Sequence, residues 1–391
     1  MFARCTACDD SLARTTSVTL EDLDKQLMRG AIVLARRGLG RTAPNPAVGA
    51  VVFQPDRDDP GRGEIVGRGW TQPGGRPHAE PVALDMAGGR ARGATLYVTL
   101  EPCAHHGGTP PCVDAIIAAG IRRVVYGITD PDPRVGGRGL DRLDAAGIDV
   151  ATQVLGAEAR AVTLGHVQRV GERRPFVQLK IAVDGNGCVA AGRNGVPTWV
   201  TGRAARARGH LLRAQADAIL IGSGTAVADN PSLDCRLPGL AAQSPRVVVL
   251  SAAGRLEAGR KLFCLGGRGN SLVIVGRQNV FRQANALRYV GAEVVGVAEV
   301  DGRLWIPAVL EALVERGVTR LLVEGGPAVW QAFDRAGMID EVVMFRGGLG
   351  EVRFDEEAAN RMRARHVTLT QMKLGQRMRV GEDDLVSWQR V

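Results

Sequence analysis

Apolar positions along this chain switch repeatedly between a helical spacing and short continuous runs. Between residues 23 and 38, Leu27, Ala31, Val33, Leu34 and Ala35 give a helical face that Gly38 and Gly40 bring to a stop. The rigid turn Pro44-Asn45-Pro46 leads into an apolar run at 48–53, a buried strand, and residues 64–70 form its hairpin partner across a turn-rich connection. A helix opens at Pro77-His78-Ala79-Glu80-Pro81 and runs through Met86, with Pro81 tolerated in the first turn. Residues 95–100 make a strand that delivers Glu101-Pro102-Cys103 at its end. Residues 112–119 make a helix closed by Gly120, and 124–128 make the next strand. After a helix at about 157–170, strands are expected at 176–183, 218–221, 247–250, 272–275, 293–295, 320–323 and 341–345, with helical stretches between several of them.

Strands alternating with helices imply largely parallel sheets, and the expected fold class is α/β, two three-layer α/β/α domains. A chain of 391 residues is too long for one ordinary domain, and 45% apolar residues suffice for sizeable cores. The expected division is a disordered tail at 1–20, a first domain at 21–150, a connector at 151–174 and a second domain at 175–391. No internal repeat relates the two domains, so they are expected to do different jobs.

The net charge of +9 is carried almost entirely by arginine. The arginines are scattered and form no block, which suits phosphorylated small molecules or NADP better than nucleic acid. Seven cysteines at irregular spacing make no disulfide framework. No charged start with an apolar segment is visible, and no apolar run approaches about 18 residues. The expectation is a cytoplasmic protein with reduced thiols and no membrane partner. Cys5-Thr6-Ala7-Cys8 has metal-like spacing but no partner pair nearby, and falls in the expected tail.

The strongest chemical signal is His78-Ala79-Glu80 followed by Pro102-Cys103 and Cys112. It offers three metal-type ligands, His78, Cys103 and Cys112, and a carboxylate that has no reason to be a fourth. A catalytic zinc needs three protein ligands, an open position for water and a nearby proton shuttle. Zinc deaminases of nucleobases carry this His-x-Glu and Pro-Cys pattern, with the glutamate moving the proton from water to the leaving amine. Glu80 takes that role here. A structural zinc site would use four protein ligands, for which His105 or His106 is available.

Pro44-Asn45-Pro46-Ala47-Val48-Gly49, His78-Ala79-Glu80 and the stretch from Thr99 to Cys112, with its long loop ending Thr109-Pro110-Pro111-Cys112, resemble the bifunctional deaminase–reductases of riboflavin biosynthesis. Asp130-Pro131-Asp132-Pro133 and Gly137-Arg138-Gly139 continue the likeness, which extends from about residue 21 to the C-terminus. It implies a cytidine-deaminase-like first domain that hydrolyses the exocyclic amine of a diaminopyrimidinone ribosyl phosphate. It also implies a dihydrofolate-reductase-like second domain that uses NADPH to reduce the ribosyl chain to ribityl. In the first domain His78, Cys103 and Cys112 match the Zn2+ ligands, Glu80 the proton shuttle and Asn45 a pyrimidine contact. In the second, NADP is expected near Ala182, Trp199, Thr225, Asp229, Ser251, Gly326, Pro327, Ala328, Val329, Trp330, Gln331 and Ala332. The phosphorylated substrate is expected near Arg213, Leu233, Arg236 and Glu324. Arg213 and Arg236 suit a phosphate as fork-shaped donors. Lys180, Asp229 and Glu324 are the candidate catalytic groups, with Lys180 and Asp229 polarising and orienting the carbon that receives hydride.

Glycines in Glu324-Gly325-Gly326-Pro327, between a strand and a helix, allow backbone amides to approach a phosphate, though a simple tight turn uses the same residues. The chain departs from the family pattern at Thr71, Gly108 and Asp132, and in the second domain at Asn186, Leu250 and the loop 192–197. Two other functions therefore stand beside the main one: a nucleic-acid-editing zinc deaminase, and an active deaminase joined to a non-catalytic NADP-fold binding module. The partner expected is a small phosphorylated pyrimidine, with no nucleic acid, in a homo-oligomer.

Overall fold

A computed structural model describes residues 19–105, 107–189, 199–264, 271–348 and 372–390. Cys5, Cys8, His106, the loop 192–197 and residues 1–18 of the expected tail lie outside the described residues. The chain forms two compact units. Of the described residues, the first holds 19–35, Val48–Trp70 and His78–Arg160, and the second holds Arg36–Ala47, Thr71–Pro77 and the chain from Ala161 onward.

The first unit is built on strands β1 (Gly49–Pro55), β2 (Gly63–Trp70), β3 (Thr95–Leu100), β4 (Arg123–Ile128) and β5 (Asp149–Ala151), in the order β2-β1-β3-β4-β5. β1 runs antiparallel to β2 and β3, while β3, β4 and β5 are parallel. Its helices are α1 (Leu20–Ala35), α2 (Ala79–Ala87), α3 (Cys112–Ala118) and α4 (Arg138–Ala145), and α5 (Gly156–Gly171) follows. Glycines decide how closely two of these helices approach. A Cβ on Gly49 would lie 2.0 Å from the carbonyl oxygen of Ala31 in α1, and one on Gly69 would lie 2.2 Å from that of Ala79 in α2. Gly69 pairs with Ala50, the neighbour of Gly49, and successive strand residues point to opposite faces. α1 and α2 therefore cover opposite faces of the sheet, giving the three expected layers.

In the second unit the strands are β6 (Phe176–Val183), β7 (Ala218–Gly222), β8 (Arg246–Leu250), β9 (Leu272–Gly276), β10 (Glu293–Val297), the small hairpin β11 (Glu299–Val300) and β12 (Arg303–Leu304), then β13 (Arg320–Val323), β14 (Glu341–Arg346), β15 (Met372–Val380) and β16 (Asp383–Arg390). Nine of them form one sheet, ordered β10-β9-β8-β7-β13-β6-β14-β16-β15. It is parallel from β10 to β14, and β16 and β15 add an antiparallel edge. The helices are α6 (Arg203–Ala214), α7 (Ser223–Asp229), α8 (Lys261–Cys264), α9 (Val280–Leu287), α10 (Ile306–Glu315) and α11 (Pro327–Arg335).

Alternation along the strands divides the apolar side chains between two cores. Val177, Leu179, Ile181 and Val183 of β6 pack with Val309 and Leu313 of α10 and Phe333 of α11. Ile219 and Ile221 of β7, Val247 and Val249 of β8 and Leu212 of α6 belong to the other core. Strands buried on both faces read as continuous apolar runs, which is why this sheet was visible in the sequence. The edge hairpin β15–β16 and the short β5 and β11–β12 were not expected. β15 is exposed along most of its length, and the alternation of Met372, Leu374, Met378 and Val380 with Lys373, Arg377 and Arg379 is interrupted at Gly375-Gln376, where the register shifts.

Candidate active site

In the first unit His78 is the residue preceding α2, Cys112 is the first residue of α3, and Cys103 follows the end of β3. The sheet thus brings three sequence-distant donors together. His78 Nδ1 lies 3.3 Å from Cys112 Sγ and 3.7 Å from Cys103 Sγ, and the Cys112 backbone N–H donates to Cys103 Sγ at 3.3 Å. All three donor atoms fall within 4.8 Å of one another. A tetrahedral zinc with bonds of ~2.0–2.3 Å separates its ligand atoms by ~3.5 Å, so the arrangement fits that ion. His105, the rival fourth ligand, is outside this group, the metal-type cluster found among the described residues.

Local charge favours metal uptake. The Cys112 thiol donates to Cys103, and with His78 and the Cys112 amide it brings Cys103 down to about 4, a thiolate at neutral pH. The same shared proton, together with burial, pushes Cys112 far up, so the metal-free pair keeps one proton. Glu80 sits in the first turn of α2, buried at 4% exposure. Burial, reinforced by the negative charge at Cys103 and opposed by His78, raises its carboxyl to about 7.

Glu101 has a positioning task that its place in the sequence did not reveal. Its buried carboxylate accepts the backbone N–H groups of Asp130 (3.2 Å), Gly137 (3.2 Å) and Gly139 (3.1 Å). It thereby ties the segment 130–139 to the strand end that carries Cys103. Asp132 spends its carboxylate on Arg134, which donates from its backbone and its guanidinium. Thr71 is buried and Gly108 exposed. The Asn45 amide donates to the Gly75 carbonyl at 2.8 Å.

The second unit carries two clefts that share Thr225. One, of 330 Å³, is lined by Lys180, Ala182, Trp199, Arg213, Thr225, Asp229, Leu233, Arg236 and Glu324, uniting the substrate residues expected in this domain with four of those expected near NADP. Glu324 follows β13, and burial alone would raise its carboxyl. Arg213 donates to both of its oxygens at 2.9 Å, and Lys180 Nζ stands 3.8 Å away, holding it down to about 2. The remaining guanidinium edge of Arg213 donates to the Asp234 carbonyl at 3.0 Å. Its fork therefore faces Glu324 rather than standing open for a phosphate. Arg236 is half exposed, pairs among the described residues with Asp234 at 3.7 Å, and is the freer cation of the two.

The other cleft, of 540 Å³, is lined by Gly326, Pro327, Ala328, Val329, Gln331 and Ala332 of the expected cofactor stretch, with Leu250 and Ala252. Two of the residues expected near NADP, Ser251 and Trp330, line neither cleft. Trp330 turns into the core beside Phe333 because a helix that lines a cleft with Val329 and Gln331 must point the intervening residue inward. Ser251 is buried, and its hydroxyl accepts the Arg255 N–H at 3.3 Å. At the Asn186 departure, the turn is held by Asp184 instead: its carboxylate accepts the N–H groups of Asn186 (2.9 Å) and Cys188 (2.8 Å).

Fold and donor set define a zinc-type deaminase domain followed in the same chain by an α/β reductase-type domain. The family model for the cytidine and deoxycytidylate deaminase zinc-binding region matches residues 21–128, and that for the RibD C-terminal domain matches 175–373. The chain is 40% identical over 322 residues to the riboflavin biosynthesis protein RibD of Bacillus amyloliquefaciens, covering 82% of this chain and 83% of that one. Its structure is similar to RibD of Acinetobacter baumannii (TM-score 0.77, 30% identity, 95% of this chain and 99% of that one). It is equally similar to a diaminohydroxyphosphoribosylaminopyrimidine deaminase/5-amino-6-(5-phosphoribosylamino)uracil reductase of Thermotoga maritima (TM-score 0.77, 33% identity, with the same coverage). The chain belongs to the RibD family of riboflavin biosynthesis. Among the described residues no helix is long and apolar enough to cross a membrane.

Proposed function

We propose that this chain carries out two successive steps of riboflavin biosynthesis. In the first, water replaces the exocyclic amine of 2,5-diamino-6-(5-phosphoribosylamino)pyrimidin-4(3H)-one, giving the uracil and ammonia. In the second, NADPH reduces the ribosyl chain to ribityl. The observation that carries this proposal is the convergence of His78, Cys103 and Cys112 within 4.8 Å, with a buried carboxylate two residues from the histidine.

His78, Cys103 and Cys112 would hold Zn2+, which would supply the Lewis acidity that makes water nucleophilic near neutral pH. Glu80 takes a proton from the attacking water on its carboxylate and delivers it to the departing amine nitrogen. A carboxyl raised to about 7 suits a group that must both accept and donate. Asn45 contacts the pyrimidine.

In the second domain NADPH supplies the hydride. Ala182, Trp199, Thr225 and Asp229 would hold its nicotinamide end, and the cleft along Gly326–Ala332 would hold the rest. As hydride adds to the anomeric carbon, the bond from that carbon to the ring oxygen opens and Lys180 protonates the released oxygen, while Asp229 orients the carbon. Glu324 holds Lys180 by charge and is itself locked by Arg213, while Arg236 and Leu233 receive the phosphorylated end of the substrate. The working division is a deaminase domain at 21–150 and a reductase domain at 175–391, joined by 151–174. The protein acts on a free phosphorylated pyrimidine in the cytoplasm, as a homo-oligomer, without nucleic acid. Scattered arginines and only 4% aromatic residues support that preference.

The test is incubation of zinc-loaded protein with the diaminopyrimidinone and NADPH, following ammonia release, NADPH oxidation and product masses. Ammonia release with a flat NADPH trace would reduce the second domain to a binding module.

A further inference from the structure

The 540 Å³ cleft of the second domain has a charge pattern that the two catalytic steps do not use. Among the described residues, two arginines line it, Arg303 and Arg335, and no acidic residue does. Neither makes an ion pair or side-chain hydrogen bond with a described residue, whereas Arg213, Arg246, Arg260 and Arg316 all pair with carboxylates. They come from separate elements, each of which fixes its residue. Ala328, Gln331, Ala332 and Arg335 recur at spacings of three and four along α11, so the face that lines the cleft ends in a cation. Arg303 is the first residue after the two-residue turn of the β11–β12 hairpin. Asp301 (φ 49°) and Gly302 (φ 69°) both take positive φ, as a tight type I′ turn demands. The hairpin is anchored by the Trp305 N–H donating to the Ala298 carbonyl at 2.9 Å.

A site for NADH binds the adenosine ribose as a diol, for which a carboxylate acceptor is the fitting partner. A site for NADPH must instead hold a phosphate on that ribose, which calls for guanidinium groups and excludes carboxylates. We propose that Arg303 and Arg335 recognise the 2′-phosphate of NADPH and set the preference of this reductase for NADPH over NADH. The assignment rests on the placement of the dinucleotide in this cleft. It is distinct from the glycines at the start of α11, which suit the pyrophosphate common to both dinucleotides.

Titration calorimetry of the zinc-loaded full chain with NADPH, NADH and 2′,5′-ADP separates the possibilities without relying on turnover. Arg303→Ala and Arg335→Ala are each expected to weaken NADPH and 2′,5′-ADP on the order of tenfold, the size of one lost charge-assisted contact. NADH binding should stay within about twofold, and Arg→Lys at either position should recover part of the loss. Equal weakening of NADPH and NADH would move the arginine to the pyrophosphate and overturn the assignment. Unchanged NADPH affinity in a variant would overturn it for that residue. Failure of the unmodified protein to bind NADPH at all would overturn the placement of the dinucleotide as well.

Discussion

Glu80 and Glu324 are two buried glutamates whose surroundings push them in opposite directions. At Glu80, burial and the charge at Cys103 outweigh the opposing His78 and the carboxyl rises to about 7, while Glu324 meets Arg213 and Lys180 and falls to about 2. The first is suited to moving protons, the second to remaining charged. Glu80→Gln is expected to lower deamination by at least ~10²-fold while one zinc per chain is retained, as metal analysis beside ammonia release would determine. Zinc loss in that variant would make Glu80 a ligand. For Glu324 the folded value lies below the usual 4.5, so its contribution to stability is fully present above about 4.5 and disappears as the pH falls through about 2. The contribution is worth about 3 kcal/mol. Denaturant unfolding of the parent and Glu324→Gln should differ most near neutrality and converge on acidification. A constant gap would remove the carboxylate charge as the cause.

At the scale of elements, the deaminase site depends on how closely α2 lies on β2. Gly67 and Gly69 let the backbone of α2 approach to where any Cβ would collide, at 2.1 and 2.2 Å from carbonyl oxygens. α2 carries Glu80 and begins at His78. Gly69→Ala must shift the helix, since the obstruction is backbone and cannot rotate away. The expected cost is ~1–3 kcal/mol, together with weaker zinc binding by competition with a chelating dye and lost deamination. A variant that binds zinc as tightly as the parent would show that α2 has room to spare. Most elements were legible in the sequence because they are buried: 95–100, 176–183 and 320–323 coincide with β3, β6 and β13. β15 was not read as a strand, since its alternation of apolar and basic residues is broken at Gly375-Gln376, where the pairing with β16 shifts register.

For the whole molecule, two chemistries with different requirements share one chain. Removal of zinc by a chelator is expected to abolish ammonia release from the diaminopyrimidinone. NADPH oxidation with the already deaminated substrate should remain within about twofold, because none of the metal donors belongs to the reductase unit. Parallel loss of both activities would mean that the metal supports the fold of the chain as a whole. The excess of arginine also divides at this scale. Some arginines, such as Arg174 on Asp340 and Arg123 on Asp24, are consumed in buried ion pairs. Arg303 and Arg335 remain unpaired toward a cleft.

The candidate metal donors, the candidate shuttle carboxylate and the alternation of strands and helices could all be read along the chain. Ligand type, spacing and hydrophobic period are local properties of a chain. The sequence could equally name Lys180, Arg213, Arg236 and Glu324 as charges in one functional region, but not their partners. The packing of the sheets settles that Arg213 is spent on Glu324, that Glu101 ties down the segment 130–139, that Asp184 holds the turn at Asn186, and that Trp330 turns into the core. Each of these depends on which strand ends the sheets bring side by side, and on whether burial leaves a charge paired. Neither is encoded at any single position along the chain.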